Sequence, residues 1–185
     1  MSNIETRKAG AVRIEQTEPQ PGEPLRLNGI AANWERYDMG NCYERLEPTC
    51  FDASIKADGD KIALLWNHDT AKPMGRVSAG NLKVYADRSG LCFECDLPDT
   101  DTSEEAHALV RAGIVTQCSF GFICLKETYE PPIKGETKGT RVVQLAKLLE
   151  VSVVTFPANP ATSVEARAEQ PKAKKPKIYL PPPQF

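Results

Sequence analysis

Short apolar or β-branched runs, each bounded by proline, glycine, asparagine or aspartate, recur along this chain, while one segment carries clear helix signals. AVRIEQ (Ala11–Gln16) and LRLNGIAAN (Leu25–Asn33) flank the turn-rich TEPQPGEP. KIALLW (Lys61–Trp66) follows a loop-rich section and a short helical stretch near Phe51–Lys56. Leu82–Ala86 and Leu91–Asp96 enclose Asp87-Arg88-Ser89-Gly90, which reads as a hairpin with glycine at its tip. TQCSFGFICL (Thr116–Leu125) and Arg141–Phe156 complete the set, the latter β-branched in its second half and stopped by PANPAT. Only Ser103–Ala112 reads as a well-marked helix: Thr102 and Glu105 have capping-box spacing, acids fill the first turn, and Gly113 ends it. Many strands without βαβ alternation predict a mainly β (α+β) fold, an antiparallel barrel or sandwich covered by a few helices.

Length and composition narrow the organisation. A chain of 185 residues with 41% hydrophobic content suits one domain. The expected boundaries are a flexible N-terminus over residues 1–9, a domain over 10–165 and a tail over 166–185. That tail, ARAEQPKAKKPKIYLPPPQF, has five prolines and five basic residues against one acid, too little apolar surface to offset its ordering entropy. The other 165 residues carry 18 basic and 24 acidic side chains, a net −6 that argues against nucleic acid as a partner. No apolar run reaches the ~18–20 residues of a membrane span, and MSNIETRKAG lacks the apolar core of a signal peptide. A soluble protein is expected.

Six cysteines in a chain without secretion signals read as reduced thiols, mostly packed in the core. Cys92 and Cys95 form a CxxC, but no second pair follows at zinc-finger spacing. Residues three apart on a strand also face opposite sides, so no metal site is expected and no cofactor is implied.

Three polar residues stand out against the apolar runs. Ser119 alternates with Cys118, Phe120 and Phe122, so it shares a face with Gly121 while its neighbours face the core. A Ser/Gly face could open on a cleft or pack beneath another element. His68 follows the apolar KIALLW in WNHD, where loops carry catalytic groups, although a structural or solvent-exposed role fits the position as well. His107, the other histidine, stands mid-helix among charges and reads as a partly solvated surface residue. Glu150 lies within KLLEVSVVTF, where a carboxylate is costly unless paired; an imidazole N–H or a basic side chain would serve. A hydrolase using serine needs a base such as histidine, and an acid to orient that base. Cys118 as nucleophile is disfavoured because strand alternation turns it to the core.

The ordered blocks WNHD, PMGRV, SFGF and LLEVSVVTFPANPAT resemble the prohead (capsid-maturation) proteases of tailed bacteriophages over about residues 10–165. That family looks related in fold to the herpesvirus assemblin proteases. The resemblance implies a compact β-barrel surrounded by helices, and a serine endopeptidase with Ser119 as nucleophile, His68 as general base and Glu150 orienting His68. Gly75 and Arg76 are candidate sources of oxyanion-stabilising amides. It further implies that scaffolding protein and the major capsid protein are substrates, cleaved inside the assembling prohead in the bacterial cytoplasm. Self-cleavage within the tail is expected too, and the herpesvirus analogy suggests a homodimer. From a different class, a non-catalytic β-barrel scaffold or interaction module in capsid assembly is the alternative.

Overall fold

Turn-forming residues set the element boundaries. In the computed structural model, which describes residues 4–13 and 24–156, the order is β1 (Glu5–Arg13), β2 (Arg26–Ala32), β3 (Tyr37–Asp38), β4 (Tyr43–Leu46), α1 (Asp52–Asp58), β5 (Ala63–Trp66) and β6 (Asp69–Arg76). There follow β7 (Leu82–Ala86), β8 (Leu91–Asp96), α2 (Asp101–Arg111), β9 (Gln117–Glu130) and β10 (Thr140–Val154). The β7–β8 hairpin closes as read from the sequence: the Asp87 carboxylate accepts from the amides of Ser89 and Gly90, and Gly90 has φ 152°. Helix α2 begins two residues before its expected start. Thr100, not Thr102, caps it by accepting from the Ser103 amide at 3.3 Å.

Among the described residues the strands form one sheet in the order β3-β4-β10-β9-β1-β2-β8-β7, with β5 and β6 branching from β10. One long edge of β10 serves two partners in turn. Its first residues pair in parallel with β4 (Arg141↔Glu44) and its last ones with β5 (Glu150↔Ala63, Val153↔Trp66). Between them, the segment linking β4 to α1 and the first turn of α1 fill the gap: Ala146 N donates to the Cys50 carbonyl and Leu148 N to Ser54 Oγ, both at 2.9 Å.

The mainly β, α+β character matches the expectation; no closed barrel is found among the described residues. Strands β6 and β7 follow one another but share no ladder, because a 3₁₀ turn at Val77–Ala79 redirects the chain. Side chains span that seam instead. Asn81 Nδ2 donates to the carbonyls of Met74 (3.3 Å) and Asp96 (2.9 Å), and its Oδ1 accepts from the Arg76 amide (3.0 Å). The Arg76 amide is thereby occupied, which counts against its expected use as an oxyanion donor.

The N-terminal boundary also differs from the sequence reading. Residues 5–9, expected to be flexible, belong to β1, which joins the two halves of the sheet by pairing with β9 on one side and β2 on the other. The tail over 166–185 lies outside the described residues.

The core is filled by Phe51, Phe120 and Phe122, all fully buried, with Leu27, Leu46, Leu64, Leu148, Val151 and Val153. Phe51 packs edge-on against Phe120 and Phe122 at 5.7 and 6.1 Å. Fully burying such rings stabilises the fold by about 1.5–3 kcal/mol each, so the aromatic half of SFGF anchors β9. His107 is buried on the inner side of α2 with Ala106 and Val110, rather than partly solvated.

Candidate functional site

The site grows from an irregularity in the pairing of β9 with β10. Leu148 lies opposite Phe122, yet Glu150 lies opposite Gly121, so Leu149 is an extra residue on β10. In a regular ladder Glu150 would oppose Phe120 and share its core-facing side. One extra residue inverts the alternation beyond it. The bulge therefore turns Glu150 away from the aromatic core, and Ser152, opposite Ser119, follows on the same face. Ser119, Gly121, Glu150 and Ser152 thus occupy one face of two neighbouring strands.

His68 reaches that face from the β5–β6 hairpin. Trp66 pairs with Asp69, leaving Asn67 and His68 as a two-residue turn with φ of 52° and 59°. Such left-handed turns match strand twist but usually contain glycine, and a non-glycine residue held there costs roughly 1–3 kcal/mol. Asn67 secures the hairpin to β10: its amide donates to the Val153 carbonyl (2.9 Å) and its Oδ1 accepts from the Thr155 amide (2.8 Å).

The His68 ring lies with Nδ1 2.8 Å from Glu150 Oε1. An ionised carboxylate can only accept, so Nδ1 carries the proton and a neutral ring keeps its lone pair on Nε2. Nε2 is buried and has no hydrogen-bond partner among the described residues. The other carboxylate oxygen, Oε2, accepts from Ser152 Oγ. Glu150 is 13% exposed and His68 26%, so the pair lies at a partly open margin of the sheet.

Ser119 is more enclosed than a cleft-facing serine. It is 0% exposed, and its Oγ donates at 2.8 Å to the carbonyl of Arg7 on β1. The hydroxyl is thus bonded laterally to β1, the ladder neighbour of β9 in the sheet. The structure joins His68 to Glu150 directly and leaves Ser119 on the same face, hydrogen-bonded elsewhere. The space over Gly121 is likewise taken, because a Cβ there would stand 2.5 Å from Glu150 Oε1.

The thiols behave as core groups. Cys118 is fully buried, and burial pushes its pKa far up, which disfavours the thiolate a cysteine nucleophile needs. Cys92 and Cys95 contact different partners, Ser89 Oγ at 3.4 Å and the Met74 carbonyl at 3.7 Å. No group of three or more metal-ligating side chains occurs among the described residues.

Ser152 and the Leu149 bulge were not singled out from the sequence. Ser152 had a local signal, standing two residues after Glu150 in a strand; the bulge depends on pairing with β9 and had none.

A family model described as the caudovirus prohead serine protease matches residues 12–176. The chain belongs to that family. It is accordingly a serine peptidase with a role in phage capsid maturation. Among solved structures, the bacteriophage T4 capsid assembly protease, gp21, is similar with a TM-score of 0.55 at 14% identity, over 83% of this chain and 98% of the other. At that identity the likeness speaks to fold. A search of curated proteins found no match.

Proposed function

We propose that this chain is an endopeptidase that cleaves scaffolding and/or capsid protein within the immature phage shell, using Ser119, His68 and Glu150. The observation that carries this reading is the Nδ1–Oε1 bond between His68 and Glu150, which leaves an unpartnered Nε2 lone pair on the hairpin beside the Ser119 face. In this reading Ser119 Oγ attacks the substrate carbonyl while His68 Nε2 takes its proton. His68 then gives that proton to the leaving amine, and a water repeats the sequence on the acyl-enzyme. Glu150 fixes the tautomer and stabilises the imidazolium.

The arrangement described is a resting one. The Ser119 proton is held by the Arg7 carbonyl, so catalysis requires the hydroxyl to leave that carbonyl and turn toward Nε2. A resting state suits a protease whose action is confined to an assembled shell. The structurally similar T4 protein is a capsid assembly protease, which supports capsid or scaffold proteins as substrates here. Self-cleavage within residues 166–185, a homodimer and kinship of fold with the herpesvirus proteases belong to the same proposal. The burial of Ser119 is also what a non-catalytic scaffold would show. Co-expression with the cognate capsid and scaffolding proteins, read by intact mass, separates the two readings. Shortened capsid or scaffold protein with the native chain, and full-length protein with Ser119→Ala, is expected; unchanged masses in both would favour the scaffold.

A further inference from the structure

The position of the Glu150 carboxylate is set by two small residues whose side chains do no chemistry in the mechanism above. On β9, Gly121 stands directly opposite Glu150. A Cβ built at Gly121 would lie 2.5 Å from Glu150 Oε1 and 3.2 Å from both Cδ and Cγ. Oε1 is the oxygen that receives His68 Nδ1–H. On β10, Ser152 donates its hydroxyl to Oε2, the other oxygen of the same carboxylate. The carboxylate is therefore bounded by an absent side chain beneath Oε1 and hydrogen-bonded by a fully buried hydroxyl at Oε2.

We infer that Gly121 and Ser152 are positioning residues, which aim Glu150 Oε1 at His68 Nδ1 and act on catalysis only through that acid. This rests on the proposed roles of His68 and Glu150. Gly121 has no positive φ to require glycine, so its size is what matters. The clash a methyl group would create is with the far end of a flexible side chain. Gly121→Ala can relieve it by displacing the carboxylate, leaving the backbone in place. Folding should survive while the His68–Glu150 bond does not. The glycine of SFGF thus makes room for the protein's own acid.

The test combines kinetics on cleavage of the capsid protein with proton NMR of the imidazoles, of which the chain has two. Gly121→Ala should lower kcat by ~10²-fold with KM little changed, since a misplacement of about 1 Å can cost that much. Ser152→Ala should cost about tenfold, the worth of one hydrogen bond to a charged group. Both should weaken the low-field Nδ1–H resonance of His68 that Glu150→Ala abolishes. In a Glu150→Ala background, Gly121→Ala should cost nothing further, because no carboxylate remains to displace. A native resonance and native kcat in Gly121→Ala would overturn the inference, as would an equal loss in both backgrounds. If Gly121→Ala does not fold, Ser152→Ala carries the same resonance test. Cleavage persisting in Ser119→Ala would instead remove the proposed function, and the resonance would still report whether the two small residues hold the pair.

Discussion

Two carboxylates lie toward opposite ends of the β10 ladder, Glu44 on its neighbour β4 and Glu150 on β10 itself, and their partners differ in kind. Glu44 on β4 has a side chain 1% exposed and is enclosed by permanent cations. Arg7 donates to it from Nε (2.7 Å) and Nη2 (3.0 Å), Arg141 from Nη1 (2.7 Å), and the Tyr37 hydroxyl adds a further bond. Arg141 extends the network to Glu5 (2.6 and 2.9 Å) and Glu127 (2.6 Å). Glu150, at the other end, has no arginine or lysine partner among the described residues and is held by an imidazole and a hydroxyl. An acid surrounded by guanidinium groups is locked and serves the fold. An acid bound to a titratable ring can stabilise a charge that appears during a reaction. The regions are also connected, since Arg7, clamped by Glu44, supplies the carbonyl that holds Ser119.

Substitutions at the two ends should separate activity from stability. The largest effect belongs to the Glu150 end: His68→Ala or Ser119→Ala should lower kcat/KM by roughly 10⁴-fold, about 5.5 kcal/mol of transition-state stabilisation, without a large loss of Tm. Glu150→Gln, measured by the same cleavage assay, should cost about 10³-fold and leave the fold nearly as stable. At the Glu44 end the order reverses. Glu44→Gln leaves Arg7 and Arg141 without their buried anion, and should destabilise the protein by about 3–5 kcal/mol in chemical denaturation. A Tm loss at Glu150→Gln as large as at Glu44→Gln would erase the distinction.

Acid should weaken the structural end. The Arg141 hydrogen bond, reinforced by the charges of Arg141 and Arg7, holds the Glu5 carboxyl below its ordinary range despite the opposing effect of burial. Arg141 does the same for Glu127. Groups depressed in the folded state stabilise it fully above their unfolded pKa, and lose that contribution as pH falls through the folded value. Tm should therefore fall as pH drops below about 5, and Glu5→Gln should make the slope shallower. The smallest effect is expected at Cys118: iodoacetamide on the native protein should leave it unmodified and cleavage unchanged, as its burial requires.

Legibility from the sequence followed the range of the interactions. β7 and β8 emerged with their observed ends because a short hairpin with an Asp/Gly turn is determined locally. β6 was not recognised, since DTAKPMGR is polar and carries Pro73, tolerated on a strand that among the described residues pairs with β5 alone. β3 and β4 were hidden in a loop-rich section because β3 is only two residues long and β4 is fixed by pairing with the distant β10. At the site, the polar outliers His68, Ser119 and Glu150 were visible as individuals, and the face that Ser119 shares with Gly121 followed from alternation. The joining of His68 to Glu150 was open in the sequence, where a basic partner for the acid fitted equally well. It depends on the Leu149 bulge and the left-handed Asn67–His68 turn, neither of which a local pattern announces. The hydrogen bond that holds the Ser119 hydroxyl comes from β1, more than a hundred residues away in sequence.

The central claim is that Ser119 is the nucleophile, and covalent capture tests it most directly. Tryptic cleavage after Arg111 and Lys126 gives the peptide AGIVTQCSFGFICLK, whose single serine is Ser119, whereas Ser152 falls in the peptide starting at Leu148. A peptidyl fluorophosphonate applied while the protease is cleaving its capsid substrate should leave one adduct on Ser119, absent in His68→Ala. An adduct on Ser152 or Cys118, or capsid cleavage that continues with Ser119 unmodified at saturating probe, would contradict it.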